Sequence, residues 1–229
     1  MADQKKIVLV GGHGKIALLA APKLVDAGFA VDSLIRNPDH HDDVAAAGAN
    51  PVLLDVEQAD TDALAEAFAS AEAVVFAAGA GGGNPARTKA VDLEAATRTM
   101  DAAAQAGVRR YVMVSYFRAA AALDSVAKES PFYPYAEAKH LADKYLTETE
   151  LDYTILGPGS LTLESASGKI VIADAEGELP AGSAEDSESG STSRENVAEV
   201  IRHVLADRAG VRQRINFFDG QTPIAEAIS

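Results

Sequence analysis

Short apolar, β-branched runs alternate with longer segments whose apolar residues recur every three to four positions, and that alternation is the pattern of βαβ units. Strands are predicted over 7–10, 31–35, 52–54, 73–76, 110–114 and 153–156. Each is almost continuously apolar, as expected for strands covered on both faces of a parallel sheet. Helices are predicted over 14–27, 39–47, 59–70, 86–106 and 131–149, with Gly28 and Gly107 just past two helix ends and Pro131 opening the last. Beyond Pro158 the alternation weakens to a strand over 169–173, a helix over 193–207 with Ser193 as N-cap, and a strand over 214–218. The pattern specifies an α/β fold, a doubly wound parallel sheet in three layers.

Composition narrows what such a fold is for. The chain has 229 residues, and the expected organisation is a single domain over 1–229 with about 158–229 as its substrate-side part. Lys plus Arg number 20 against 34 Asp plus Glu, a formal net charge of −14, which argues against a nucleic-acid binder or a protein that docks on anionic membrane. No apolar run approaches the roughly 20 residues a membrane span needs. Lys5 and Lys6 pass straight into the short run 7–10, without a signal-peptide core or cleavage site. A cytoplasmic monomer or homodimer acting on a small-molecule substrate is expected. There is no cysteine, hence no disulfide, thiolate metal site or cysteine nucleophile, and the five histidines lack metal-ligand spacing, so no metal is expected. His140 and His203 read as ordinary helix-surface residues. The segment 175–191, rich in Gly, Ser, Ala and acids around Pro180, reads as a surface loop, either a solvated excursion or a lid over a substrate pocket.

Candidate chemistry begins directly after the first strand, in Gly11-Gly12-His13-Gly14-Lys15-Ile16-Ala17. A strand end, glycines that permit a tight turn and close backbone approach, and a helix N-terminus with free N–H groups together cradle a pyrophosphate. Gly11, Gly12, His13, Gly14, Lys15 and Ile16 are therefore candidate cofactor-binding residues, Lys15 being either a phosphate partner or a solvated lysine. The end of the second strand selects the dinucleotide. An NAD site places an acid there for the ribose 2′-hydroxyl, whereas an NADP site recruits arginine for the 2′-phosphate. Here the strand ends Ser33-Leu34-Ile35-Arg36-Asn37-Pro38, with Asp32 too far back to reach the ribose. NADP is expected ahead of NAD, with Arg36 making charge-assisted bonds to phosphate; the bland alternative is a surface arginine.

The spacing Gly11, Gly14, Ala17 resembles that of extended and atypical short-chain dehydrogenase/reductases. So do Ile35-Arg36-Asn37-Pro38, Leu54-Asp55-Val56, Phe76-Ala77-Ala78-Gly79, Lys89-Ala90-Val91-Asp92, Val112 to Ser115, Tyr135 to Lys139 and Thr154-Ile155-Leu156-Gly157-Pro158-Gly159. Over nearly its whole length the chain resembles the small NAD(P)H-binding members of the atypical group, the NmrA-like and biliverdin-reductase-B-like proteins. The resemblance implies a Rossmann-type sheet with a small C-terminal substrate-side region. It implies that Asp55 and Val56 flank the adenine, that Ala77, Ala78 and Gly79 line the adenosine and ribose side, and that Pro158 passes the nicotinamide end. One departure is Gly157, where relatives usually carry arginine before Pro-Gly.

Tyr135 and Lys139 stand at i and i+4, on one face of a helix. The resemblance implies that the Tyr135 hydroxyl is the general acid for carbonyl reduction and that the Lys139 ammonium lowers its pKa while bonding the nicotinamide ribose. A tyrosine titrates ordinarily near 10, so a neighbouring cation is what would suit it to acid–base work near neutrality. Ser115, at the C-terminal end of the fifth strand, lies where α/β folds bind ligands and is placed to orient a substrate carbonyl. The competing readings of the Tyr-Lys pair are a cofactor-binding relic and a packing coincidence. The expected function is an NADP-dependent oxidoreductase transferring hydride to a small carbonyl, quinone or flavin-like acceptor. The alternatives are a non-catalytic NADP(H)-binding redox sensor or regulator and an enzyme like the nucleotide-sugar epimerases.

Overall fold

The computed structural model describes residues 4–81, 84–121, 123, 126–180 and 190–229. In chain order its elements are β1 (Lys6–Val10), α1 (Lys15–Asp26), β2 (Ala30–Ile35), a 3₁₀ turn (Pro38–His40), α2 (His41–Ala46), β3 (Asn50–Leu53), α3 (Thr61–Phe68) and β4 (Ala71–Phe76). There follow α4 (Pro85–Thr88), a π-helical stretch (Lys89–Ala95), α5 (Ala96–Gln105), β5 (Arg110–Val114), α6 (Tyr133–Glu148), β6 (Asp152–Pro158), β7 (Ser160–Thr162) and β8 (Lys169–Ala173). The last are β9 (Ser191–Ser193), α7 (Arg194–Ala206), β10 (Gln213–Asp219), β11 (Thr222–Pro223) and α8 (Ile224–Ala227). No helix among the described residues is long and apolar enough to cross a membrane.

Nine strands form one sheet in the order β11-β8-β10-β6-β5-β4-β1-β2-β3. The seven from β3 to β10 run parallel, while β8 lies antiparallel to β10 and β11 antiparallel to β8. The sheet period of two divides the central strand between layers. Ile7 and Leu9 enter the core beneath α1 and α7, with Leu24, Ile201 and Val204. Val8 and Val10 enter the opposite core, with Leu64 of α3, Met100 of α5 and Leu146 of α6. This is the expected Rossmann-type doubly wound fold, and the segment past Pro158 adds β8, β10 and β11 to the same sheet. The order of the strands reverses between β1 and β4, so their C-terminal ends diverge and open a crevice there.

Several local expectations change. Pro131 precedes α6 without opening it, because the helix starts at Tyr133 with Pro134 in its first turn. The predicted helix over 86–106 is interrupted by the π stretch, a distortion that is rare and concentrates at functional sites. His203 is no surface residue: it is buried, with Nε2 2.8 Å from the Ile228 carbonyl oxygen and Nδ1 2.8 Å from Asp207 Oδ2. The lid alternative for 175–191 falls mainly on 181–189, which lie outside the described residues.

Candidate active site

At the end of β1 the chain turns through Gly11, whose φ of +83° favours glycine. A Cβ on Gly11 would lie 2.6 Å from the Ala78 Cα, and one on Gly12 would strike Ser33. These two glycines therefore let the loop press against the ends of β4 and β2. Gly12 also donates its N–H to the Leu34 carbonyl at 2.8 Å, behind the crevice. Gly14 is the N-cap of α1 and contributes no capping side chain, so the first N–H groups of the helix stay available to an anion.

The crevice has two connected halves. The first, about 330 Å³, is bordered by Gly11, His13 and Gly14 from the loop and by Arg36, Asp55, Val56 and Ala77 to Gly79 from the ends of β2, β3 and β4. The second, about 530 Å³, shares Ala77 to Gly79 and is bordered also by Ile16, Ser115, Tyr135 and Lys139. Most of the anticipated residues thus line one groove across the sheet's reversal point. Gly12, Lys15 and Pro158 do not line it. Lys15 is exposed, and Pro158 is buried in β6, where its carbonyl accepts from the Phe117 N–H at 3.1 Å.

Charge in the first half is partly exposed. The Arg36 guanidinium lies 3.7 Å from Glu57 Oε2, which is also 3.4 Å from Arg87. Asp32 turns away, accepting from Asn50 at 2.8 Å and pairing with Lys6 at 3.5 Å. Asp55 Oδ1 accepts from the Glu57 N–H at 3.0 Å and so shapes the turn after β3.

Charge in the second half is buried and paired. Lys139 Nζ donates to the Val114 carbonyl at 3.0 Å and stands 3.4 Å from Asp92 Oδ1. The other Asp92 oxygen accepts from the Ala80 N–H at 3.1 Å. Asp143, one turn beyond Lys139, accepts 2.6 Å bonds from Ser115 Oγ and from Arg214. Tyr135, Lys139 and Asp143 thus form an i, i+4, i+8 stripe along α6. Asp92, Asp143 and Arg214 were missed as site residues. That stripe was the available signal for Asp143, whereas Asp92 depends on the π stretch and Arg214 on the pairing of β10 with β6.

Two anticipated roles change with this network. Burial, and then the carboxylates of Asp92 and Asp143, push the Tyr135 hydroxyl well above its usual value near 10. The expected lowering by Lys139 gives way to burial, the largest cause, with the two carboxylates adding to it. Ser115 has one hydroxyl hydrogen and gives it to Asp143, which leaves its oxygen to accept rather than to polarise a carbonyl. Gly157 has a steric reason, since a Cβ there would collide with Asn216 Oδ1, itself held in place by the Asn216 Nδ2 bond to the Asp174 carbonyl at 2.7 Å. Tyr116, Phe132 and Tyr135 pack with ring centroids 5.4–5.6 Å apart and give the second half an aromatic wall.

Comparison with known proteins agrees with this geometry. The profile of a family described as NAD(P)H-binding matches residues 11–208. The uncharacterized sugar epimerase YhfK of Bacillus subtilis (strain 168) is 32% identical over 228 residues, covering 97% of this chain and 98% of that one. The solved structure of the oxidoreductase ylbE from Lactococcus lactis superimposes with a TM-score of 0.81 at 28% identity, covering 97% and 94% of the two chains. A Bacillus halodurans structure, provisionally described as an NAD-dependent epimerase/dehydratase, gives a TM-score of 0.84 at 29% identity, with 97% of each chain covered.

Proposed function

Because the chain belongs to the NAD(P)H-binding family, within the atypical short-chain dehydrogenase/reductase group, we propose that it is an NADP-dependent reductase of a small carbonyl, quinone or flavin-like acceptor. One observation carries the reading: Tyr135 lines a mainly apolar pocket that shares the wall Ala77 to Gly81 with the glycine-loop crevice. A bound reduced dinucleotide supplies the hydride. Gly14 and the start of α1 face its phosphates, and Arg36 supports a 2′-phosphate. Tyr135 keeps its proton at Oη through neutral pH and delivers it to the acceptor oxygen. Lys139, fixed by Asp92 and the Val114 carbonyl, holds the floor of the pocket beneath that hydroxyl.

The epimerase reading finds less support. A nucleotide-sugar substrate brings a second diphosphate, and among the described residues lining the second half Lys139 is the one cation, already paired with Asp92. The redox-sensor reading draws support from the commitment of Ser115 to Asp143, which leaves Tyr135 as the acid. NADPH oxidation with aldehydes, ketones, quinones and flavins separates the two. Tyr135→Phe is expected to preserve NADPH binding and to slow turnover by roughly 10²–10⁴-fold. Turnover unaffected by the substitution refutes the tyrosine's role, and tight binding without oxidation of any acceptor favours the sensor.

A further inference from the structure

The exposed half of the crevice holds a feature that the dinucleotide reading leaves unused. His13 of the glycine loop and His40 of the 3₁₀ turn stack face to face, with ring centroids 3.6 Å apart and planes inclined by 11°. Both border the same cleft as Arg36. His13 Nε2 lies 2.8 Å from Asp43 Oδ2 of α2, so its charge in the protonated form is offset by that carboxylate. His40 has no such carboxylate at salt-bridge distance among the described residues, and it borders the cleft together with Arg36. An anion in that cleft would be met by both side chains.

We propose that the His13–His40 stack is a proton-linked wall of the adenosine 2′-phosphate subsite, which makes the preference for NADP(H) over NAD(H) depend on pH. The proposal rests on Arg36 marking that subsite and adds a second determinant to it. Histidine is the side chain whose ordinary pKa, near 6.5, lies closest to neutrality. A phosphate bound against His40 raises that pKa, so the complex holds more protons than the free protein and affinity rises as pH falls. The charged groups around the pair are Arg36 at the end of β2, Asp43 on α2 beside His13, Asp39 within the turn, Asp55 and Glu57 after β3, and Arg87 of α4. His41 points to Asp42, with Nδ1 and Oδ1 3.2 Å apart. The 2′-phosphate loses charge only towards its own pKa of about 6, where the trend would reverse.

The test is calorimetric titration with 2′,5′-ADP and with 5′-AMP between pH 6.5 and 8.5, in buffers of different ionisation enthalpy. For the wild type, 2′,5′-ADP is expected to bind with net proton uptake and to gain up to roughly fivefold in affinity between pH 8.5 and 6.5, the gain that a one-unit rise of a histidine pKa from its ordinary value gives over that range. AMP binding should stay flat. His40→Gln and His13→Gln should each flatten the 2′,5′-ADP profile while keeping its advantage over AMP, because Arg36 remains. A pH dependence that survives both substitutions, or a wild-type advantage that never varies with pH, overturns the histidine pair and leaves the Arg36 assignment standing. No advantage of 2′,5′-ADP over AMP at any pH, unchanged in Arg36→Ala, overturns both.

Discussion

The two halves of the crevice share a wall, Ala77 to Gly79, yet handle charge in opposite ways. In the first half the side chains of Arg36 and Glu57, 56% and 20% exposed, meet at 3.7 Å. In the second half the side chains of Lys139 and Asp92 are 3% and 1% exposed. Exposed pairs are screened and contribute little to folding, whereas buried partners depend on one another for solvation. The fold therefore leans little on the charges of the first half, whereas those of the second half are part of the fold as much as of the crevice. The same difference separates residues whose loss should weaken binding alone from those whose loss should reach the whole molecule.

The largest expected effect breaks the buried half. Asp143→Ala strands the largely buried Arg214 guanidinium and the Ser115 hydroxyl, and a loss of about 3–5 kcal/mol is expected. Lys139→Ala strands Asp92 in the same way, so this variant should lose stability along with any turnover. Arg36→Ala should stay within about 0.5 kcal/mol of wild type. Urea denaturation measures all three, and an Asp143→Ala midpoint equal to that of Arg36→Ala would erase the distinction between the halves.

Next in size is a contrast within the glycine loop. Gly11→Ala forces a side chain into a positive φ and against the Ala78 backbone, at an expected loss of about 1–3 kcal/mol. At Gly14 φ is −64°, and a Cβ would approach the Gly11 carbonyl oxygen at 3.0 Å, tight but not blocked. Gly14→Ala should keep the fold and lose dinucleotide affinity. Thermal unfolding and NADPH titration of the pair decide it, and the reverse pattern would return the phosphate role to Gly11.

The sequence made one half of this contrast far more legible than the other. Parallel strands buried on both faces announce themselves as continuous apolar runs, and β1 to β6, β8 and β10 each appeared within a few residues of their boundaries. The ribbon of β7 with β9, and β11, are two or three residues long and mostly polar, too short for any period to show. Gly11, Gly14 and Arg36 were readable because each sits at a strand end fixed by the topology. The buried pairs were not, since each joins segments distant in sequence: Asp92 to Lys139, and Ser115 and Arg214 to Asp143. His203 looked like a helix-surface residue because its partner, the Ile228 carbonyl, comes from the C-terminal tail folding back.

Arg36 sharpens the comparison from the exposed side. Arg36→Ala should weaken NADPH binding by about 1.5–3 kcal/mol, the worth of a hydrogen bond to a charged group, and leave NADH binding unchanged. Fluorescence titration with both cofactors measures this. Equal affinities in the wild type would remove the case for NADP, and an equal loss for both cofactors would make Arg36 a support of the adenosine rather than of the 2′-phosphate.

The smallest expected effect is an absence of change, and it probes the buried half through Tyr135. Burial, Asp92 and Asp143 all disfavour the phenolate, so the hydroxyl's pKa moves up from 10 and the protonated acid persists to higher pH than for a free tyrosine. The sign follows from the charge: a raised pKa moves the loss of the acid form out of the neutral and mildly alkaline range. If Lys139 instead governed the tyrosine, kcat/KM would fall on an alkaline limb well below pH 10. With burial holding the proton on the hydroxyl, kcat/KM for a neutral acceptor at saturating NADPH should vary by no more than about twofold between pH 7 and 9. Asp92→Asn removes one of the two carboxylates that add to that effect while keeping an acceptor for the Ala80 N–H, and because burial is the larger cause the profile should stay flat over this range. A wild-type limb centred near pH 8 would show that the buried pair leaves Lys139 free to act on Tyr135.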